Sequence, residues 1–244
     1  MQQGKFRLLS CCKIAEDVYE LVLQGDCAAI TAPGQFVNIQ LQNFFLRRPI
    51  SVCDVNGDRL TLICKAVGGG TRALCSALPG TEFDVLSGLG NGFSTERSGL
   101  QPLLCGGGVG TPPLYLLAKR LLQQGIVPLV ALGFSSQKDV FYVEQFKALG
   151  CAVEVATMDG SYGMPGMVTD VIRERFPQAD YVYVCGPVPM LRAIYDLSLP
   201  GQFSFEERMG CGFGACMGCT CKTKNGAKRI CKEGPVLYRE EIVW

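Results

Sequence analysis

The stretch "PLLCGGGVGTPPLYLLAKRL", Pro102 to Leu121, decides how this chain is read. It passes from an apolar strand through a glycine turn into a helix. Pro112 and Pro113 suit the first helical turn, where a missing N–H leaves nothing unpaired. A helix opening straight behind such a turn offers free N–H groups and the positive end of its dipole to an anion. Gly106, Gly107, Gly108 and Gly110 allow a tight turn and close approach of backbone to a pyrophosphate, with Thr111 where a strict fingerprint has its third glycine.

Downstream, "VPLVALGF" (Val127–Phe134), "AVEVATMDG" (Ala152–Gly160) and "YVYVCGP" (Tyr181–Pro187) are near-continuous apolar runs. They alternate with helical stretches near 112–124, 139–149, 166–176 and 188–196. Strand–helix alternation with such strands predicts a parallel sheet covered on both faces. Two strand ends carry further signals, "MDGSYG" with Asp159 and "CGPVPM" with Cys185, Gly186 and Pro187. Both fall where open α/β sheets bind ligands. Cys185 reads equally as a core thiol or as lining for a nicotinamide pocket. "GFSSQKD" (Gly133–Asp139) mixes Ser135, Ser136, Lys138 and Asp139, which leaves the group at a ribose 2′-position open.

Upstream of Ser98 the pattern differs. "KFRLLSCC", "VYELVLQ", "QFVNIQL" and "RLTLICKAV" are short β-branched or alternating runs separated by "TAPGQ" and "DVNGD". Even spacing of this kind predicts an antiparallel barrel, with one short helix in "GTRALCSAL". Arg47 and Arg48 precede Pro49 and Ser51, and an arginine held extended before proline presents its guanidinium well to a phosphate. "ICKAVGGGT" (Ile63–Thr71) ends a strand in a second glycine turn.

Beyond Leu199 neither pattern continues. "MGCGFGACMGCTCKTKNGAKRIC" (Met209–Cys231) spaces Cys211, Cys216 and Cys219 as C-x4-C-x2-C, with eleven residues between Cys219 and Cys231. That is plant-type [2Fe–2S] ligand spacing. A four-sulfur zinc site more often shows two C-x2-C pairs and stands as the alternative. Gly210, Gly212, Gly214 and Gly218 let the loop turn its N–H groups toward the negative charge of a thiolate-bound cluster. Cys221 is spare, and x1 spacing from Cys219 points it away in an extended segment. The basic run Lys222, Lys224, Lys228, Arg229 and Lys232 reads mainly as a solvated loop.

Composition narrows the chemistry. The chain has 244 residues, no histidine and a formal net charge of +1. Without imidazole there is no Ser–His or Cys–His catalysis and no histidine-ligated metal, so cofactors carry any redox chemistry. The charge gives no case for nucleic acid as a partner. No apolar run approaches membrane-helix length, and the N-terminal stretch lacks a secretion-signal pattern. A cytoplasmic protein with reduced thiols is expected, fourteen cysteines notwithstanding. The apolar share of 48% fits either a well-filled interior or a permanent subunit interface.

Taken together, these segments resemble the ferredoxin–NADP reductase superfamily, through the R-P-x-S strand, the glycine turns, "DGSYG" and "CGPVPM". The C-terminal "CGFGACMGCTC…C" resembles more specifically the electron-transfer subunits of class 1B dihydroorotate dehydrogenases. The resemblance covers essentially the whole chain. It implies an antiparallel FAD-binding β-barrel (1–98), an α/β parallel-sheet NAD-binding domain (99–200) and a small C-terminal [2Fe–2S] module (201–244). It implies FAD on Arg48, Pro49, Ile50, Ser51, Ile63, Cys64, Lys65, Gly70 and Thr71. NAD is implied at Gly106, Gly107, Gly108, Gly110 and Thr111, with Asp159, Cys185, Gly186 and Pro187 completing the site. The cluster is implied on Cys211, Cys216, Cys219 and Cys231. Such subunits pair with an FMN-containing dihydroorotate dehydrogenase catalytic subunit, two copies of each, and pass electrons through cluster and FAD to NAD+ in pyrimidine biosynthesis. Three modules fill the chain and leave no domain for a second organic substrate, which independently favours a partner. Sister subunits of sulfhydrogenase gamma or ferredoxin:NADP oxidoreductase type share the modules. A zinc-knuckle scaffold with empty glycine turns is the non-catalytic alternative.

Overall fold

Apolar positions spaced two apart give a strand one oily face, and several such strands bury those faces by closing on one another. The computed structural model, which describes residues 1–244, shows this closure in its N-terminal part. β1 (Gln2–Ala15), β2 (Val18–Gln24), β3 (Phe36–Ile39), β4 (Arg48–Asn56), β5 (Arg59–Lys65) and β6 (Glu82–Leu89) form a barrel in the order β1-β2-β5-β4-β3-β6. All pairings are antiparallel, and β6 returns to β1. Phe6, Leu8, Leu21, Leu23, Val37 and Leu60 fill its interior. Between β5 and β6 runs α1 (Gly69–Cys75), the helix expected in "GTRALCSAL", which adds Leu74 and Cys75 to that core.

The second unit is a sheet of seven strands. β7 (Pro102–Gly107), β8 (Leu129–Phe134), β9 (Ala152–Thr157), β10 (Met164–Pro165) and β11 (Tyr181–Cys185) are all parallel. Helices α2 (Pro112–Gln123), α3 (Val143–Ala148) and α4 (Val168–Arg175) lie between them in the chain, and α5 (Val188–Tyr195) follows β11. Every residue of β7 and β11 is buried, as their unbroken apolar sequences require. The helix expected at 139–149 starts only at Val143. Gln137–Asp139 forms a separate single turn, and Tyr142 takes a left-handed φ of 65° just before the helix.

The segment beyond Leu199 differs from its reading as patternless. β12 (Gly201–Ser204) lies parallel to β11, and a later strand, Val236–Tyr238, pairs antiparallel with β12. Four and three residues are too few for a period to register in sequence. The cysteine segment is thus inserted between two strands of one sheet, and contains its own hairpin of β13 (Thr220–Thr223) and β14 (Gly226–Arg229). The strand at Val236–Tyr238 is β15.

Barrel and sheet are fastened together. Lys119 of α2 donates to both carboxylate oxygens of Asp54 on β4, at 2.7 and 2.8 Å. The Tyr142 hydroxyl donates to Glu20 of β2 at 2.7 Å, and Leu116 of α2 joins the barrel core.

Candidate functional site

The sheet order is β10-β9-β8-β7-β11-β12-β15, so the chain winds outward in opposite directions from β7 and β11. Open α/β sheets bind ligands at the carboxyl ends of the strands where that reversal falls. Cys185 lies opposite Gly106 in the ladder, so the glycine turn and the Cys-Gly-Pro turn meet there although nearly eighty residues apart, about the span from 106 to 185. A Cβ on Gly110 would sit 2.2 Å from the Cys185 carbonyl oxygen, so this approach admits only glycine. A Cβ on Gly186 would meet the Met190 Cε at 2.6 Å.

A cavity of about 430 Å³ opens at this point. Gly107, Gly108 and Pro187 line it, together with Met158, Thr169 and Met190, which the sequence reading did not single out. Gly106, Gly110, Thr111 and Gly186 stand behind the wall as packing positions. Thr111 is fully buried with no partner for its Oγ1, beside Gly106 at the root of the turn. Asp159 is not brought to the cavity. Its Oδ1 accepts from the Ser161 hydroxyl at 2.6 Å and N–H at 3.0 Å, closing its own exposed turn. Those bonds hold its carboxyl below the usual range.

A second cavity, about 270 Å³, lies against the barrel. β4 supplies Pro49, Ile50 and Ser51, β5 supplies Ile63, Cys64 and Lys65, and α1 supplies Thr71. Cys185 reaches it from the sheet; it both lines the cavity and is buried. Burial first, then the charge of Glu206, pushes its thiol up to about 12 against a hydrogen bond to Ser204, so it stays protonated. Phe36, Val109, Phe205 and Glu206 also line the cavity and were not foreseen, because packing between modules brings them there. Desolvation raises the Glu206 carboxyl.

Arg48 and Gly70 flank this cavity rather than line it. The Arg48 guanidinium lies 4.9 Å over the Phe44 ring and donates to the Leu46 carbonyl at 2.5 Å. A Cβ on Gly70 would sit 2.1 Å from its Nε, so the glycine makes the space the guanidinium occupies. The Thr71 hydroxyl accepts from the Gly68 N–H at 3.0 Å and so fixes the turn. Lys65 lines both cavities, and its Nζ is 3.5 Å from Asp139 across the seam.

The thiol loop is built from the backbone outward. Gly212 and Gly214 take φ of +79° and +93°, values that L side chains rarely adopt. The turn they create sends the N–H groups of Ala215 and Cys216 to the Cys211 Sγ at 3.2 and 3.4 Å. The Cys211 N–H in turn reaches the Cys216 Sγ at 3.5 Å. Burial pushes the Cys211 thiol up, but N–H groups of Cys216, Phe213 and Ala215 outweigh it and hold the thiol down to about 6. Separately, the Cys231 N–H donates to the Cys219 Sγ at 3.4 Å, and both residues are buried. Burial, then the Cys219 sulfur, pushes the Cys231 thiol up to about 12.

The sulfurs therefore fall into two pairs, Cys211 with Cys216 and Cys219 with Cys231. No three of them converge as one metal ion requires. Two pairs are what a two-iron centre with two thiolates per iron needs, and one tetrahedral zinc needs all four together. Cys221 sits half-buried on β13, outside both pairs. Arg229 pairs with Glu233 and donates to the Gly214 carbonyl at 2.7 Å, tying the hairpin to the loop. Asn91 grips the far end, donating to the carbonyls of Glu233 and Val236 at 3.1 and 2.7 Å.

Barrel, switch-point sheet and paired thiols together define a flavin-reductase-type electron-transfer protein. Among solved structures, the NADH-dependent reduced ferredoxin–NADP oxidoreductase studied for flavin-based electron bifurcation superposes with a TM-score of 0.87. It is 32% identical and is matched over 98% of this chain and 90% of its own. Phthalate dioxygenase reductase shares the fold at 20% identity and a TM-score of 0.65, over 80% of this chain and 64% of its own. The model of the iron-sulfur cluster binding domain of dihydroorotate dehydrogenase B matches residues 206–243. The dihydroorotate dehydrogenase B (NAD(+)) electron transfer subunit of Shouchella clausii is 44% identical over 99% of this chain and 98% of its own length. That of Bacillus pumilus is 43% identical over the same shares. The chain belongs to the family of dihydroorotate dehydrogenase B electron transfer subunits.

Proposed function

We propose that this chain conveys electrons, released by dihydroorotate oxidation in a separate FMN-containing catalytic subunit, to NAD+. One observation carries the reading. Phe36 lines the barrel cavity and also packs with Cys219 and Cys231 in a single buried cluster. One side chain therefore separates the place for a flavin from the sulfurs that would hold the irons. FAD and a [2Fe–2S] cluster, when bound, supply two-electron and one-electron exchange that this histidine-free chain cannot.

The residues divide the remaining work. Cys211, Cys216, Cys219 and Cys231 would hold the cluster. Arg48, positioned by Phe44 and Gly70, would meet the flavin phosphates, while Pro49, Ile50, Ser51, Ile63, Cys64, Lys65 and Thr71 shape and dry the cavity. Gly107, Gly108 and Pro187 would admit the dinucleotide, with Gly106, Gly110, Thr111 and Gly186 holding the turn that receives it. Lys65, the one base in that cavity's lining, is paired with Asp139, which favours NAD over a 2′-phosphorylated dinucleotide. The functional units are the barrel (1–98), the nucleotide domain (99–200) and the cluster module (201–244), the last rooted in the sheet by β12 and β15.

The complex is read as cytoplasmic, with two copies of each subunit. No helix is long and apolar enough to cross a membrane. Phe45, Phe213 and Met217 are exposed apolar side chains suited to a partner surface. The 32% identity to the ferredoxin–NADP oxidoreductase supports a sister role as the second reading. Co-expression with an FMN-containing dihydroorotate dehydrogenase subunit is expected to give a stable complex that reduces NAD+ when supplied dihydroorotate. No complex, or a clear preference for NADP+ and ferredoxin, would transfer the assignment to the second reading.

Gly70→Ala tests the flavin site. The new methyl displaces the Arg48 guanidinium, so FAD affinity is expected to fall about tenfold, the equivalent of one charge-assisted hydrogen bond. Flavin fluorescence titration measures it, and unchanged affinity removes Arg48 from the site.

A further inference from the structure

β3 reads Phe-Val-Asn-Ile, and Asn38 is its one polar residue among buried apolar neighbours. It is 1% exposed, and its Oδ1 is buried with no donor. Asparagine is depleted in strands, and a buried unpaired acceptor costs stability. Hydrophobic fit therefore does not explain its place.

Its donor does. Nδ2 gives a hydrogen bond to the Cys211 carbonyl at 3.1 Å, joining the barrel to the thiol loop. The next residue is Gly212, where a Cβ would lie 2.4 Å from that same Nδ2. The amide is therefore packed on the outside of the turn whose N–H groups reach the Cys211 sulfur. Across the ladder it stands in register with Pro49 of β4, which walls the barrel cavity. The Asn38 carbonyl accepts from Arg47 Nη1 at 3.3 Å, which anchors the strand beneath it.

We infer that Asn38 is a positioning residue that sets the reduction potential of the cluster by bracing the Cys211–Cys216 turn from the flavin barrel. The inference rests on the cluster assignment above. Hydrogen bonds from N–H groups to ligating sulfurs favour the more negative, reduced form, and their loss lowers the potential.

The test is a redox titration of the full complex, with Asn38→Leu in place of the wild-type chain. Leucine keeps the bulk and removes the donor. The expected result is a tenfold shift of the one-electron equilibrium toward the oxidised cluster, about 59 mV, with altered g-values in the reduced spectrum. Wild-type potential and spectrum, with iron and FAD contents intact, overturn the inference. Should Asn38→Leu fail to retain iron, Asn38→Ala decides, because it removes the same donor and adds no bulk against the thiol loop. A lowered potential there supports the role, and an unchanged one overturns it. Wild-type protein without iron or a reduced-cluster signal would instead strike the cluster assignment itself, a result seen before any variant is made.

Discussion

Cys219→Ser is expected to bring dihydroorotate-dependent NAD+ reduction close to background. Cys219 is buried, its sulfur accepts the Cys231 N–H, and both pack on Phe36 at the wall of the barrel cavity. A serine oxygen is a hard ligand where iron–sulfur chemistry requires a soft one. Losing even an outer-shell partner of a metal ligand costs about 10- to 100-fold, so losing the ligand itself should cost at least about 100-fold. NADH oxidation by an artificial two-electron acceptor should persist, because the barrel and the switch point are untouched. The pair of assays thus separates a lost conduit from a lost fold. Full coupled turnover in this variant would sink the electron route.

Gly110→Ala should damage the other end of the route. The obstacle is backbone: the methyl would lie 2.2 Å from the Cys185 carbonyl oxygen and 2.6 Å from the Gly186 nitrogen. Neither can swing aside as a side chain would, so the glycine turn must separate from the end of β11. Overpacking of this kind costs about 1–3 kcal/mol or more, and it falls where the dinucleotide would bind. The KM for NAD+ should rise at least about tenfold for each 1.4 kcal/mol of lost binding, with FAD content falling less, because only Val109 and Cys185 of the barrel cavity's lining adjoin the change. Steady-state kinetics and flavin absorbance check both halves. An unaltered KM would remove the turn from the nucleotide site.

The two architectures were legible because each carries its own period. Val18–Gln24 and Arg59–Lys65 alternate as barrel strands do, and Pro102–Gly107 and Tyr181–Cys185 are unbroken as buried parallel strands are. The cysteine spacing was legible, and the fold draws Cys211 to Cys216 and Cys219 to Cys231 through N–H to sulfur contacts. The cavity and loop contacts that escaped sequence share one physical cause. Phe36, Asn38, Val109 and Glu206 acquire their roles only when separate modules pack, and no local pattern announces that residue 38 meets residue 211. Asp159 shows the reverse limit. It falls at a strand end as expected, yet a serine two residues on takes its carboxylate. The short strands β12 and β15 were missed for want of length.

The return of β15 to the sheet has a practical consequence. The iron-binding tail is not a cassette that can be cut away to leave a working flavoprotein. A chain shortened at Ser204 would strip β12 of its outer neighbour along Gln202–Ser204. That bare row of amide and carbonyl groups would invite other chains to stitch themselves on. Any truncated form should therefore be sought first in the insoluble fraction.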